Sequence, residues 1–348
     1  MLLICAVAAG AIAAAGYYVI EELKPVPSSG EQVVFTIPEG ASSSGIAHIL
    51  ENNGIIRNAA LFSYYLKYKG LGTGFQAGTY AMEPGISVQE VIDRLNRGDT
   101  VKEETIRFTI PEGYTVVQTV RLLAELGFSE EELNRLVNEP ASLASGEETG
   151  LEALISEIPD SDQIRFKLEG YLFPETYELP KDATAEQALR RMVSELERKL
   201  TKLPESWRQQ LEANGTSFHD MLTIASLVER EVVVEEERAL VSGVIYNRLE
   251  QGMPLQLDAT VQYLFDEQKE RVLEKDLQIE SPYNTYLHQG LPPGPIASPG
   301  FASIEAALYP KSSNYLFYVT AKDGSGKHFF AETYQGHLQN IQKSNHQE

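Results

Sequence analysis

Among 348 residues the single cysteine is Cys5, so no intramolecular disulfide can form. Histidine is scarce too: the six are scattered singly, and no zinc-ligand spacing appears. Basic residues are outnumbered, 29 Lys and Arg against 50 Asp and Glu, for a formal net charge of -21. That balance argues against nucleic acid as a partner and against a polybasic patch on a membrane surface. The chain also lacks a G-x-S-x-G elbow, a phosphate-binding P-loop and a dinucleotide fingerprint. What remains is carboxylate chemistry assisted by Tyr, Asn, Thr and Gln, which suits cleavage of a glycosidic bond.

Residues 1–20 carry no charged side chain. A spanning helix needs about 20 apolar residues, so this stretch is expected to be a transmembrane anchor, with Tyr17 and Tyr18 at the interface. The alternative is a cleaved signal peptide with Ala13-Ala14-Ala15 at its cleavage site. Either reading puts the remainder outside the cytoplasm. Residues 21–32, rich in Pro, Ser and Gly, have linker composition.

The phrase VVFTIPEG at 33–40 returns as IRFTIPEG at 106–113, an internal repeat. In each copy a strand pattern ends at Pro-Glu-Gly and a helical pattern follows, which predicts two strand-turn-helix modules in an α+β fold. The spacing predicts a small α+β domain over 33–100, with a strand at 75–80 and a capping box at Ser87–Glu90, and a larger α+β domain over 101–340. The second repeat copy occupies 105–160 of the larger domain, and 341–348 reads as a tail. Aromatics at 61–68 serve either as packing or as a sugar-stacking platform. In EGYLFPETYEL (169–179), Glu175 lies among aromatics and is a candidate to position a sugar or a catalytic partner.

Two helices are expected across 217–252, with Ser217 as N-cap, Gly252 as stop, and Val232-Val233-Val234 marking a bend between them. Leu240, Val244, Tyr246 and Leu249 form the expected buried side of the second helix. Glu229 has Ala225, Ser226, Val232 and Val233 as its helical neighbours. Such a setting favours a neutral carboxyl, suited to general acid catalysis. Glu231, with Glu235 four residues on, is the second choice. Asp258 is either the second carboxylate of a hydrolase or a turn residue bonding Thr260. The Pro- and Gly-dense loop at 282–300 reads as rigid.

In order and spacing, ASLVERE (225–231), YNRLEQGMPLQLDATVQY (246–263), YNTYLHQGLPPGPIASPG (283–300) and NYLFYV (314–319) resemble the YceG-like family of endolytic murein transglycosylases. The resemblance covers roughly residues 35–337. It implies a single-pass membrane protein with its catalytic part outside, a LysM-like subdomain near 33–100, and Glu229 as the catalytic carboxyl. It also implies non-hydrolytic cleavage of the MurNAc-β-1,4-GlcNAc bond inside nascent strands, leaving 1,6-anhydro ends and limiting strand length. Tyr283, Asn284 and Tyr286 are then candidates to hold the sugar, Gln256, Asp258 and Thr260 to line the cleft, and Glu175 to support the site. The implied partners are peptidoglycan glycan strands, the cell membrane and proteins of wall synthesis, with no cofactor and no metal. A two-carboxylate hydrolase and a non-catalytic wall-binding scaffold stay open beside this reading.

Overall fold

The computed structural model describes residues 16–28, 30–101, 104–144, 149–267, 269 and 271–347. Most of the expected anchor at 1–20 therefore lies outside the described residues. Among those described, no helix is long and apolar enough to cross a membrane. The chain divides into two compact units, one ending at Glu104 and the other running from Thr105.

The first unit runs β1 (Val33–Ile37), α1 (Ser43–Asn52), α2 (Ala59–Lys69), β2 (Gly78–Met82) and α3 (Val88–Arg97). The two strands pair antiparallel, with Phe35 opposite Tyr80 and Thr36 opposite Thr79. The strand expected at 75–80 starts later because pairing begins only at Gly78, opposite Ile37. Side-chain caps start each helix: Ser42, Asn58 and Ser87 accept from the backbone amides of Gly45, Leu61 and Glu90. The capping box expected at Ser87 is half formed, since the Glu90 carboxylate turns to Arg94 instead, at 2.9 Å. Phe62, Leu66, Tyr80 and Leu95 fill the core, while Tyr64 and Tyr68 stand on the exposed face of α2.

The second unit opens with β3 (Thr105–Thr109), α4 (Val116–Glu125), α5 (Glu130–Asn138), α6 (Thr149–Ser156), β4 (Thr176–Pro180) and α7 (Ala185–Leu200). There follow α8 (Trp207–Asn214), α9 (Phe218–Glu231), α10 (Arg238–Glu250), α11 (Asp258–Gln262) and α12 (Phe301–Leu308), then β5 (Phe317–Thr320), β6 (His328–Ala331) and α13 (Tyr334–Asn345). The sequence repeat proves deeper than its phrase. β3 pairs antiparallel with β4, placing Phe108 opposite Tyr177 and Thr109 opposite Thr176, the same Phe–Tyr and Thr–Thr pairings as in β1 and β2. The paired threonine hydroxyls bond at 3.0 Å in the first copy and 2.8 Å in the second. Each repeat thus includes a distant Thr-Tyr strand that closes it.

Residues 341–345 are the last turns of α13, where buried Ser344 bonds the Thr320 carbonyl at 2.7 Å, so the tail expected at 341–348 is mostly helix. On α10 the buried run is Val241–Ile245, while Leu240, Tyr246 and Leu249 are half-buried. The helix packs on more than one side: a side chain at Gly243 would collide with the Lys311 carbonyl.

Candidate active site

The site is organised by α9. Ser217 and Asp220 cap it reciprocally, each backbone amide bonding the other residue's side chain at 3.0 Å. Every residue from Phe218 to Val228 except Asp220 is buried, so α9 runs through the core of the unit. It ends after Glu231, where Val232 takes an extended conformation (φ -117, ψ 122) at the β-branched run. Glu229, Arg230 and Glu231 therefore sit in the last turn, where the helix leaves the core. Successive side chains there point about 100° apart, so the three reach different surroundings.

Glu229 does not have the uncharged setting expected of it. Its Oε2 accepts from the Gly300 amide at 2.9 Å, the Ser303 hydroxyl at 2.8 Å and the Arg238 guanidinium at 3.2 Å. The partners come from the N-terminus of α12 and the start of α10, distant in sequence from the i±3 and i±4 neighbours. Arg230 bonds the Gly113 carbonyl at 3.2 Å. That carbonyl belongs to the turn of the second repeat copy, whose Gly113 amide also bonds the Ser298 carbonyl at 2.9 Å, while the Ser298 amide returns to the Tyr114 carbonyl at 2.7 Å. Glu112 of the same turn lies over Gly300, where a Cβ would come within 2.0 Å of its Oε1. Burial raises the Glu112 carboxyl above the usual range, and the charge of Glu229 pushes the same way.

Glu231 opens instead into a cleft of ≈ 450 Å³ lined also by Arg248, Gln256, Asp258, Tyr286 and Tyr318. Its carboxyl accepts from the Tyr318 hydroxyl at 3.1 Å. Removal from water raises its pKa, and the charge of Asp258 adds to the rise; the Tyr318 hydrogen bond and His328 oppose it. His328 is held by Glu237 at 2.8 Å and meets the Tyr318 ring edge-on, with centroids 5.3 Å apart. Asp258 accepts from the Tyr286 hydroxyl at 2.6 Å. Arg248, whose Nε and Nη1 donate to the Leu316 and Leu255 carbonyls at 2.6 Å each, forms one wall.

Of the residues expected to touch sugar, Gln256, Asp258 and Tyr286 line this cleft. Tyr283, Asn284 and Thr260 do not. Asn284 is fully buried and donates to the Leu277 and Ile279 carbonyls at 3.0 and 2.8 Å, so it shapes the loop rather than holding a sugar. Thr260, also fully buried, bonds the Leu257 carbonyl at 2.7 Å and the Thr285 hydroxyl at 2.9 Å. The Tyr283 hydroxyl accepts the Arg165 amide at 3.2 Å, and its ring packs on Tyr263. Glu175 is ion-paired with Lys199 at 2.6 Å, which holds its carboxyl below the usual range and ties β4 to α7. It does not line the Glu231 cleft.

Tyr318, Arg248 and Glu112 were not anticipated. NYLFYV contains Tyr318, but only the pairing of β5 beside the end of α9 shows which face of that strand meets Glu231. For Glu112 a signal existed in the repeat, whose second copy carries a carboxylate at a tight turn.

Fold and site together define a two-unit α+β protein whose second unit presents a partly desolvated carboxyl at a helix end in an open polar cleft. The chain belongs to the YceG-like family, whose pattern matches residues 35–343. It is 37% identical over 312 residues to an endolytic murein transglycosylase of Bacillus subtilis, covering 87% of this chain and 82% of that protein. Its identity to an endolytic murein transglycosylase of Streptococcus pneumoniae is 31% over 352 residues, covering 95% of this chain but 62% of the relative. A solved crystal structure of a yceG-like protein from Listeria monocytogenes, 35% identical, aligns with a TM-score of 0.59 over 89% of this chain and 99% of that one.

Proposed function

We propose that this chain is an endolytic murein transglycosylase that cleaves the MurNAc-β-1,4-GlcNAc bond within peptidoglycan strands, with Glu231 as its acid and base. The observation that carries the assignment is the contrast within one helical turn. Glu231 faces an open cleft in which burial favours its protonated form, whereas the described bonds to Glu229 come from three protein donors. Glu229 is accordingly replaced as the catalytic carboxyl.

Protonated Glu231 donates its proton to the glycosidic oxygen as the C1–O bond breaks. The resulting carboxylate then accepts the proton of the MurNAc O6 hydroxyl as O6 bonds to C1. The products are a free GlcNAc O4 hydroxyl and a 1,6-anhydro end, and Glu231 is protonated again. One carboxyl suffices because the substrate supplies the nucleophile. Tyr318 hydrogen-bonds and so orients Glu231, and Asp258, which accepts from Tyr286 in the same cleft, supplies a carboxylate able to stabilise positive charge on a sugar ring bound there.

The presence of Asp258 in the same cleft favours one second reading, a two-carboxylate hydrolase. Mass spectrometry of digested glycan separates the two: a transglycosylase leaves 1,6-anhydro ends and a hydrolase leaves reducing ends. The apolar run at 1–20 supports a single-pass anchor with the catalytic unit outside the cytoplasm. The β-α-α-β order of the first unit, with Tyr64 and Tyr68 exposed, supports a LysM-like glycan-binding role.

A further inference from the structure

We infer that Gln256 is a specificity-determining residue whose carboxamide recognises an N-acetyl group of the glycan strand; this deepens the transglycosylase reading and rests on it. Among the described residues Gln256 is the one residue other than glycine with positive φ, at 50°. An L side chain in the left-handed region is strained, and glycine would occupy it without that penalty. The strain is enforced from both sides. Leu255 and Leu257 are buried, the Gln256 amide bonds the Thr285 carbonyl at 3.1 Å, and the Leu257 amide bonds the Thr285 hydroxyl at 3.0 Å. Buried Thr260 locks that hydroxyl in turn at 2.9 Å. Neither the flanking packing nor this network uses the glutamine side chain, so the fold alone would be served as well by glycine.

That side chain is exposed in the Glu231 cleft, and none of the described hydrogen bonds uses its carboxamide. Its neighbours are committed elsewhere: Arg248 to two backbone carbonyls, Tyr286 to Asp258 and Tyr318 to Glu231. A carboxamide offers one acceptor and two donors in a plane, which matches the N–H and C=O of an acetamido group. Strain kept at an exposed cleft position, with a free neutral hydrogen-bonding group at its tip, is the pattern of a residue retained for what it binds.

The test uses the full chain and compares cleavage of peptidoglycan strands with the same strands chemically N-deacetylated. Wild type is expected to favour acetylated strands about tenfold in kcat/KM, the worth of one or two hydrogen bonds. Gln256→Gly and Gln256→Asn are expected to cleave acetylated strands about tenfold more slowly and to lose the preference, while still producing 1,6-anhydro ends. Melting temperature should stay constant or, for glycine, rise by up to about 4 °C. Preference retained in either variant, or absent in wild type, overturns the proposal while leaving the transglycosylase reading intact. A large fall in melting temperature with kcat and KM both impaired, and the preference unchanged, assigns Gln256 a structural role and also overturns it. Wild-type products without 1,6-anhydro ends overturn the underlying reading instead.

Discussion

Replacing Glu169 by Gln should remove a loss of stability that this one carboxyl imposes between about pH 5 and 8. Glu169 is 1% exposed. Its carboxyl accepts the Val116 amide at the start of α4 at 3.0 and 3.1 Å and bonds the Tyr263 hydroxyl at 3.1 Å. Burial nevertheless outweighs these bonds and pushes its pKa from 4.5 up to about 8. The native state then holds a proton that the unfolded chain releases, so stability is fully present below the unfolded value of 4.5 and is lost as pH rises through the folded value of about 8. At about 1.4 kcal/mol for each unit, the shift corresponds to a loss of the order of 5 kcal/mol across that window. Glutamine keeps the shape and an acceptor for Val116 but cannot ionise. Urea unfolding at pH 5 and pH 8 should show wild type losing several kcal/mol relative to Glu169→Gln. Equal losses in both proteins would refute the reasoning.

Other consequences lie nearer the cleft. Tyr318→Phe removes a hydrogen bond that lowers the Glu231 pKa, so the alkaline limb of the kcat/KM profile should move to higher pH; Asp258→Asn removes a charge that raises it, so the limb should move to lower pH. Shifts of the same sign in both variants, measured by product release across pH, would contradict the assigned electrostatics. Glu229→Ala leaves Arg238, a side chain 13% exposed, without its carboxylate partner, and chemical unfolding should report a loss of about 3–5 kcal/mol. Gly300→Ala meets the Glu112 carboxylate, although φ is an ordinary -71° there. It should cost about 1 kcal/mol in wild type and much less in a Glu112→Ala background, as a double-mutant cycle would show.

Local signals carried much of this architecture. The caps at Ser217 and Ser87 and the break at the valines after Glu231 are set by side chains within a few residues of the backbone they control. The repeat was visible in its turns, but its closing Thr-Tyr strands were not, because antiparallel pairing joins Phe108 to Tyr177 across intervening helices. The different surroundings of Glu229 and Glu231 were beyond local reasoning for the same cause. Helical neighbours at i±3 and i±4 make Glu229 look isolated, yet Gly300, Ser303 and Arg238 reach it through tertiary packing. The YNTY and QLDAT segments send Tyr286 and Asp258 into the Glu231 cleft, but only burial separates these from Asn284 and Thr260 in the same segments.

The role of Glu231 is tested most directly by glycan product analysis of Glu231→Gln and Glu229→Gln beside wild type, with folding of each verified by circular dichroism. Folded Glu231→Gln should yield no 1,6-anhydro ends, while Glu229→Gln, which retains one amide oxygen to accept from Gly300 and Ser303, should yield them at a reduced rate. Wild-type levels of 1,6-anhydro ends from Glu231→Gln, with none from a folded Glu229→Gln, would contradict the account and return the catalytic role to Glu229.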